Sequence, residues 1–95
     1  MILLRHEIGD VMRDYRTKRG MSLRQLSSKA NIALSYLSEL ERGQKEASSE
    51  VLLSIATALG LPLSIFLTEV ADRLALFEEF DSVIPDTVPD DLLVK

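Results

Sequence analysis

The side chains of this chain that could do chemistry are hydrogen-bond donors, acceptors and fixed charges rather than catalytic groups. The 95 residues include one histidine, His6, and no cysteine, which excludes thiol catalysis, disulfides and zinc–thiolate sites. The sequence has no Gly-rich phosphate loop and no cluster of carboxylates beside a base, so neither an enzyme nor a cofactor is expected. Polar and basic side chains recur between Arg24 and Lys45. Guanidinium and ammonium groups bind phosphates, whereas Ser, Gln and Glu side chains can bond to base edges.

The stretch from Ser22 to Gly43 predicts two short helices joined by a tight corner. Apolar residues recur at helical spacing in both halves, at Leu23, Leu26 and Ala30 and then at Leu34, Leu37 and Leu40. Ser22 and Gln25 have the spacing of a capping box, and Asn31 tolerates the left-handed conformation that would turn the chain. Gly43 can stop the second helix. This is the layout of a helix-turn-helix, whose second helix lies in the major groove, although a generic corner between two helices would share much of the pattern.

These residues resemble the Cro/repressor-type helix-turn-helix family, also called the xenobiotic-response-element type. The matching segments are Ser22–Ser27, Lys29–Ile32 and Tyr36–Gly43. The chain departs from the family pattern at Asn31, where Gly is frequent, and at Ala33, where Ser or Thr is frequent. Because Ala is a poor N-cap, the beginning of the second helix is the part that the sequence specifies least.

The layout predicts which side chains would meet DNA. The candidates lie at helix ends, in the following loop and on the exposed face of the second helix: Arg24, Gln25, Leu34, Ser35, Tyr36, Ser38, Glu39, Arg42 and Lys45. The resemblance implies base reading by Leu34, Ser35 and Glu39. Glu can accept a hydrogen bond from cytosine N4 and Leu can lie on a thymine methyl group. Arg24, Gln25, Arg42 and Lys45 would contact phosphates, which positions the protein without reading sequence.

Some of these residues have a second interpretation. Glu39 could orient a nearby arginine or be a solvated acid, and any single basic residue could be a solvated surface charge. The Tyr36 hydroxyl could reach a phosphate, or the ring could simply pack. The resemblance also implies an ion pair between Arg16 and Glu41 that braces the first and third helices, and this pair would be structural.

The net charge of −4 is unusual for a protein that binds phosphates, but the charge is unevenly distributed. Residues 1–68 contain nine basic and seven acidic side chains, whereas residues 69–95 contain two and eight. The acidity therefore lies in the C-terminal part, away from the predicted DNA face. A mildly basic N-terminal part followed by an acidic tail is typical of a protein that binds specific DNA sequences and has limited affinity for other DNA.

The whole pattern predicts an all-α fold, a five- to six-helix Cro/repressor-type domain with an extended C-terminal dimerisation helix. A first amphipathic helix begins near Leu4 and ends at Gly20, and Ser48 or Ser49 can cap a fourth helix that ends at Gly60. No apolar run approaches the length of a membrane span, and the first four residues are too short for a signal peptide, so a cytoplasmic protein is expected.

The last helix is predicted from Leu63 to about Phe80, with a break near Thr68 as an alternative. It has two apolar stripes, and only one can be buried in a small domain. The sequence therefore predicts homodimerisation through residues of this helix: Val70, Leu74, Leu76, Phe77 and Phe80. The predicted division is a DNA-binding domain at 1–68, a dimerisation helix at 69–80 and an acidic flexible tail at 81–95.

Three functions are compatible with these features. The first is a sequence-specific transcriptional regulator that binds double-stranded DNA. Within the family, Glu41–Leu52 and Ala58–Gly60 most resemble regulators of Clp protease and chaperone genes. That resemblance implies activation, RNA polymerase and a Clp-type protease as partners, and a degradation signal at Leu92–Lys95. The alternatives are an antitoxin that neutralises a toxin through its tail, and a protein-binding module without DNA contacts.

Overall fold

The computed structural model describes the backbone of residues 3–81 and the side chains of residues 3–78. Five α-helices follow one another: α1 (Leu4–Lys18), α2 (Leu23–Ala30), α3 (Leu34–Glu41), α4 (Ser49–Ala58) and α5 (Leu63–Asp81). This part of the chain contains no strand, so the prediction of an all-α fold is confirmed. The predicted acidic tail lies outside the described residues, except that Asp81 is still helical.

A single core joins the five helices. α1 packs against α3 and α5, α2 against α3 and α4, and α4 against α5. The largest fully buried side chains come from every helix: Val11, Met12, Leu26, Leu37, Leu40, Ile55, Leu59 and Phe66. Full burial of one such side chain contributes about 1.5–3 kcal/mol relative to exposure. Helices α1, α4 and α5 thus form the support on which the short α2 and α3 are held.

The first four helices end in the same way. In each case the chain leaves the helix through a residue with positive φ, at Gly20, Asn31, Gly43 and Gly60. At α3, the Gly43 N–H donates to the Leu40 carbonyl at 3.0 Å and the Gln44 N–H to the Glu39 carbonyl at 2.9 Å. These two bonds form a Schellman motif, which satisfies the last helical carbonyls and turns the chain sharply.

Gly9 allows α1 to approach the end of α3 closely. A Cβ atom at this position would lie 2.5 Å from the Glu41 carbonyl oxygen and 2.7 Å from that of Leu40. Both neighbours are backbone atoms, so a side chain could be accommodated only by moving one helix. The close approach sets the distance across which Arg16 of α1 reaches Glu41.

Helix α5 is continuous, and Thr68 lies within it with its hydroxyl donating to the Ser64 carbonyl at 2.7 Å. A break at Thr68 is therefore wrong, and the predicted domain boundary at 68/69 falls inside one helix. Val70 is only 3% exposed within the single chain. Its side chain packs in the core of the single chain, so its assignment to the dimerisation surface stays a prediction that this burial does not support.

The other residues assigned to dimerisation differ in exposure. Leu74 is partly buried against the core. Leu76 is 58% exposed and Phe77 is 44% exposed. Phe80 lies in the helical backbone, but its side chain is outside the described residues.

Within residues 3–81 no single helix is long and apolar enough to cross a membrane. The pair formed by α4 and α5 up to Glu78 has the combined length and composition of a membrane span, but the two helices are bent by 105° relative to each other.

Candidate nucleic-acid interface

The corner between α2 and α3 is built from local hydrogen bonds. The Ser22 hydroxyl accepts from the Gln25 N–H at 3.0 Å, and the Gln25 side-chain oxygen accepts from the Ser22 N–H at 2.8 Å. This is the predicted capping box. At the other end of α2, Asn31 has φ 58° and ψ 47°, so it takes the left-handed conformation. The Ser27 hydroxyl donates to the Ile32 carbonyl at 2.5 Å and fixes the corner.

Helix α3 separates a buried face from an outer face. Leu37 and Leu40 are 0% and 2% exposed and belong to the core. The outer face is formed by residues that are exposed or partly exposed: Leu34, Ser35, Tyr36, Ser38 and Glu39. Ala33 precedes the helix in an extended conformation and provides no side-chain cap. The α3 side chains proposed to read bases therefore lie together on one accessible surface.

Arg16 and Glu41 join α1 to α3 through a two-point ion pair. Arg16 Nε lies 2.6 Å from one Glu41 oxygen and Nη2 lies 3.0 Å from the other. Arg16 Nη1 also donates to the Met21 carbonyl at 2.8 Å. The bond to Glu41 raises the pKa of Arg16 above its ordinary value, against the opposing effect of burial. Glu41 is 7% exposed, so this carboxylate is not available to DNA.

Arg42, at the end of α3, is held by two polar side chains. Its Nη1 donates to the Ser38 hydroxyl oxygen at 2.5 Å and its Nη2 donates to the Gln44 side-chain oxygen at 3.2 Å. The exposed guanidinium is thereby oriented along the outer face of α3 while retaining N–H groups for another acceptor. Ser38 and Gln44 thus orient Arg42 by accepting its hydrogen bonds. This role of Gln44 was not predicted from the sequence.

The Tyr36 hydroxyl is used inside the protein. It donates to the Glu46 carbonyl at 3.0 Å, and the ring packs against the core. A phenol has one O–H donor, and a phosphate oxygen can only accept. In this conformation the O–H is engaged by Glu46 and the ring packs against the core, as the packing alternative expects.

Comparison with known proteins agrees with this geometry. A helix-turn-helix family profile matches residues 12–66. The chain is 47% identical over 83 residues to the transcriptional regulator ClgR of Mycobacterium tuberculosis, which covers 87% of this chain and 74% of the relative. It belongs to the helix-turn-helix family of transcriptional regulators.

Two solved structures share the fold of this helix-turn-helix protein. The clp gene regulator ClgR from Corynebacterium glutamicum superposes with a TM-score of 0.78 at 41% identity, covering 84% of this chain and 85% of that one. The restriction-modification controller protein C.AhdI from Aeromonas hydrophila superposes with a TM-score of 0.64 at 31% identity, covering 65% and 94%. The resemblance to the Cro/repressor type and to Clp gene regulators is confirmed.

The residues predicted to contact phosphates lie at both ends of the helix-turn-helix. Arg24 and Gln25 are exposed in the first turn of α2, and Arg42 and Lys45 are exposed at and after the end of α3. The Gln25 side-chain oxygen serves the capping box, which leaves its NH2 group as a donor. The first turn of α2 and the segment from Arg42 to Lys45 thus both carry exposed hydrogen-bond donors.

Arg5 is a residue of this region that sequence reasoning missed. Its Nε donates to the Gly43 carbonyl at 3.0 Å, and its Nη1 forms an ion pair with Glu46 at 3.0 Å. The contact spans 38 residues, and no local pattern in the sequence relates α1 to the loop after α3. Two acids near the outer face, Glu41 and Glu46, are thus each paired with an arginine.

Within residues 3–81, no group of three or more His, Asp or Glu side chains is arranged to hold a metal ion. Glu39 is the carboxylate that remains on the outer face of α3, between Ser35 and Arg42.

Proposed function

We propose that this regulator binds an inverted-repeat operator as a homodimer and controls Clp protease genes, which it activates. The observation that carries the proposal is the outer face of α3, where Leu34, Ser35 and Glu39 lie between the basic ends of the helix-turn-helix. The assignment to Clp genes is supported by the similarity to the clp gene regulator ClgR from Corynebacterium glutamicum.

In the proposed complex, α3 enters the major groove and its outer face meets the base edges. Arg24, Gln25, Arg42 and Lys45 contact the phosphates on both sides of the groove and fix the register of the helix. Leu34 lies on a thymine methyl group, and Glu39 accepts a hydrogen bond from cytosine N4. Because Glu39 is acidic and the groove has a negative potential, Glu39 favours a C·G pair, whose cytosine N4 supplies a hydrogen-bond donor.

The proposed dimer is formed by α5. Leu76 and Phe77 are exposed in the single chain, and burial against a second copy would remove this apolar surface from water. A two-fold dimer presents two α3 helices on one side of the duplex, about 34 Å apart. The operator is then an inverted repeat whose half-site centres are one helical turn apart.

RNA polymerase and a Clp-type protease are proposed as further partners, in the cytoplasm. The proposed activation implies contact with RNA polymerase, and the proposed degradation signal implies delivery to a protease. The proposed degradation signal, Leu92–Lys95, lies outside the described residues.

Selection of bound sequences from random DNA tests the function directly. The expected result is an inverted repeat with one C·G pair or more in each half-site, found upstream of Clp genes. Failure of the purified full chain to enrich any sequence would overturn the proposal of specific DNA binding. Enrichment of a motif that is absent from Clp promoters would leave DNA binding in place and overturn the assignment to Clp genes.

Removing a phosphate contact should weaken binding to all DNA sequences by the same factor. Arg42→Ala and Lys45→Ala are each expected to lower affinity for the operator and for unrelated DNA by the same factor. Each should also reduce the slope of log affinity against log salt by about one unit. Lys29→Ala is a charge-matched control, because Lys29 lies in the last turn of α2 and borders the groove between α2 and α4. A change in sequence preference with either variant would contradict the positioning role.

A further inference from the structure

The loop from Arg42 to Ser48, between α3 and α4, is anchored by side chains from two helices. Arg5 of α1 donates from Nε to the Gly43 carbonyl at 3.0 Å, and Tyr36 of α3 donates to the Glu46 carbonyl at 3.0 Å. Both acceptors are backbone carbonyls. The two bonds therefore fix the path of the main chain itself, at two points on either side of Lys45.

The first anchor is reinforced by a close contact with α1. Gly43 has φ 72°, and a Cβ atom there would lie 2.2 Å from His6 Cδ2 and 3.0 Å from His6 Cα. The α3–α4 loop thus lies directly on the first turn of α1. The ion pair between Arg5 and Glu46 adds little, because the Glu46 side chain is 75% exposed and solvent screens the two charges.

We propose that Arg5 and Tyr36 are positioning residues for DNA binding, which hold the α3–α4 loop so that Lys45 meets a phosphate without further ordering of the chain. This rests on the proposed function of Lys45 as a phosphate contact. Ordering a loop on binding reduces affinity, and a loop already fixed in the free protein avoids that cost. Tyr36 acts here through the loop, and its single O–H is unavailable to DNA as long as the bond to Glu46 persists.

The first test removes the Tyr36 hydroxyl and measures the free protein. Tyr36→Phe keeps the packed ring but loses the bond to the Glu46 carbonyl. Amide 15N relaxation of the full chain without DNA should show lower order parameters at Lys45 and Glu46. Tyr15→Phe is the matched control, since Tyr15 is the other tyrosine and stacks on Phe66 in the core. A residue that acted only by touching DNA would leave the loop of the free protein unchanged.

The second test measures affinity for the selected operator and for unrelated DNA. Tyr36→Phe should weaken both by about 2- to 10-fold, the fold-change that corresponds to one hydrogen bond. Arg5→Lys should act in the same direction although it keeps the charge, because an ammonium group cannot reproduce the geometry of the guanidinium.

A double-mutant cycle separates positioning from direct contact. In a Lys45→Ala background the loop has no lysine to present to a phosphate, so adding Tyr36→Phe should change the affinity for DNA less than twofold. Additive losses would overturn the inference in favour of a direct DNA contact, as would unchanged loop order or unchanged affinity in Tyr36→Phe. If the unmodified chain binds no DNA, the proposed function itself fails and this inference fails with it.

Discussion

Glu41 brings a carboxylate into the contact between α1 and α3, where its side chain is 7% exposed. Arg16 satisfies both carboxylate oxygens. Removing one member of such a pair leaves the other buried without compensation, which costs about 3–5 kcal/mol. We therefore expect Glu41→Gln to lower the free energy of unfolding by this amount, measured by urea denaturation. Joint replacement, Arg16→Met with Glu41→Leu, should restore most of it.

Arg13 provides the control for this prediction. Its Nε lies 3.8 Å from a Glu41 oxygen, but its side chain is 54% exposed. Arg13→Gln should therefore change the free energy of unfolding by less than about 1 kcal/mol. An equal effect of the Arg13 and Glu41 substitutions would contradict a special role of the buried pair.

The bond to Glu41 raises the pKa of Arg16 in the folded protein. The contribution of this pair to the free energy of unfolding is therefore fully present at every pH below the unfolded pKa of Arg16, and it is lost only as the pH rises through the higher folded pKa.

Glu39 is the residue whose substitution should change sequence preference. Glu39→Gln keeps the size of the side chain and adds an amide donor, which can pair with adenine. Preference for the C·G pair should fall by about 1–3 kcal/mol, measured by competition between single-base operator variants. Affinity for unrelated DNA should stay equal or rise slightly, since one negative charge is removed. An operator selection unchanged by Glu39→Gln would show that Glu39 orients a neighbour or is merely solvated.

Helix α3 begins without a side-chain cap, because Ala33 occupies the N-cap position in an extended conformation. Ala33→Ser should supply the missing acceptor for an N–H of the first turn and raise the free energy of unfolding by about 0.5–2 kcal/mol. Ser22→Ala is the reciprocal variant, since it removes the cap that α2 possesses, and it should lower stability by a similar amount. Thermal unfolding of the two variants should therefore shift in opposite directions. A destabilised Ala33→Ser protein would mean that the corner cannot accept the hydroxyl.

The elements that sequence predicted well are those specified by neighbouring residues. The capping box of Ser22 and Gln25, the left-handed Asn31 and the helix end at Gly43 all depend on bonds within six residues or fewer. The capping box needs two residues at fixed spacing, and the left-handed conformation needs a residue type that tolerates it. These features carry the helix-turn-helix, which is why its layout could be predicted from one sequence.

Apart from the Arg16–Glu41 pair, which the family resemblance implied, contacts between distant elements could not be predicted from the sequence. Gly9 carries no local signal that α1 approaches the α3 carbonyls, and Arg5 has none that links it to Gly43. Periodicity showed two apolar stripes on α5 but not which residues the core would cover. Val70 is covered, whereas Leu67 of the same stripe is 42% exposed. The helix is about 28 Å long at 1.5 Å per residue, so it has more surface than the rest of a small domain can bury.

At the scale of the whole molecule, α5 links the proposed DNA face to the proposed dimer. Arg73 pairs with Asp14 of α1 and lies 3.6 Å from Glu69 on α5, so polar contacts fix α5 on α1. The bond to Asp14 raises the pKa of Arg73. Arg73, Leu76 and Phe77 line a groove between α5 and α1, with a volume of about 460 Å³. Because α1 also holds α3 through Arg16, a second copy bound along α5 would be rigidly related to α3.

Two apolar side chains should decide the oligomeric state. Leu76 and Phe77 are exposed in the single chain, so Leu76→Asp with Phe77→Asp should leave the circular dichroism spectrum unchanged. In a dimer the same substitutions would place charges in an apolar contact, and sedimentation should show a folded monomer. Leu53→Asp is the matched control, because Leu53 is 53% exposed on α4 and should leave the dimer intact. A monomeric unmodified protein would end the proposal of dimerisation.

The monomeric variant should also separate affinity from preference on DNA. A dimer binds two half-sites in one association, whereas monomers must bind each half-site separately, so operator affinity should fall by about 10²-fold or more. The α3 surface is untouched by Leu76→Asp and Phe77→Asp. The ratio of the affinity for a half-site to the affinity for the same half-site with its C·G pair replaced should therefore be the same as in the unmodified protein. Measurement on a single half-site should accordingly show little loss of affinity. A monomer that binds the full operator as tightly as the dimer would mean that the two half-sites are not read together, and that α5 does not couple them.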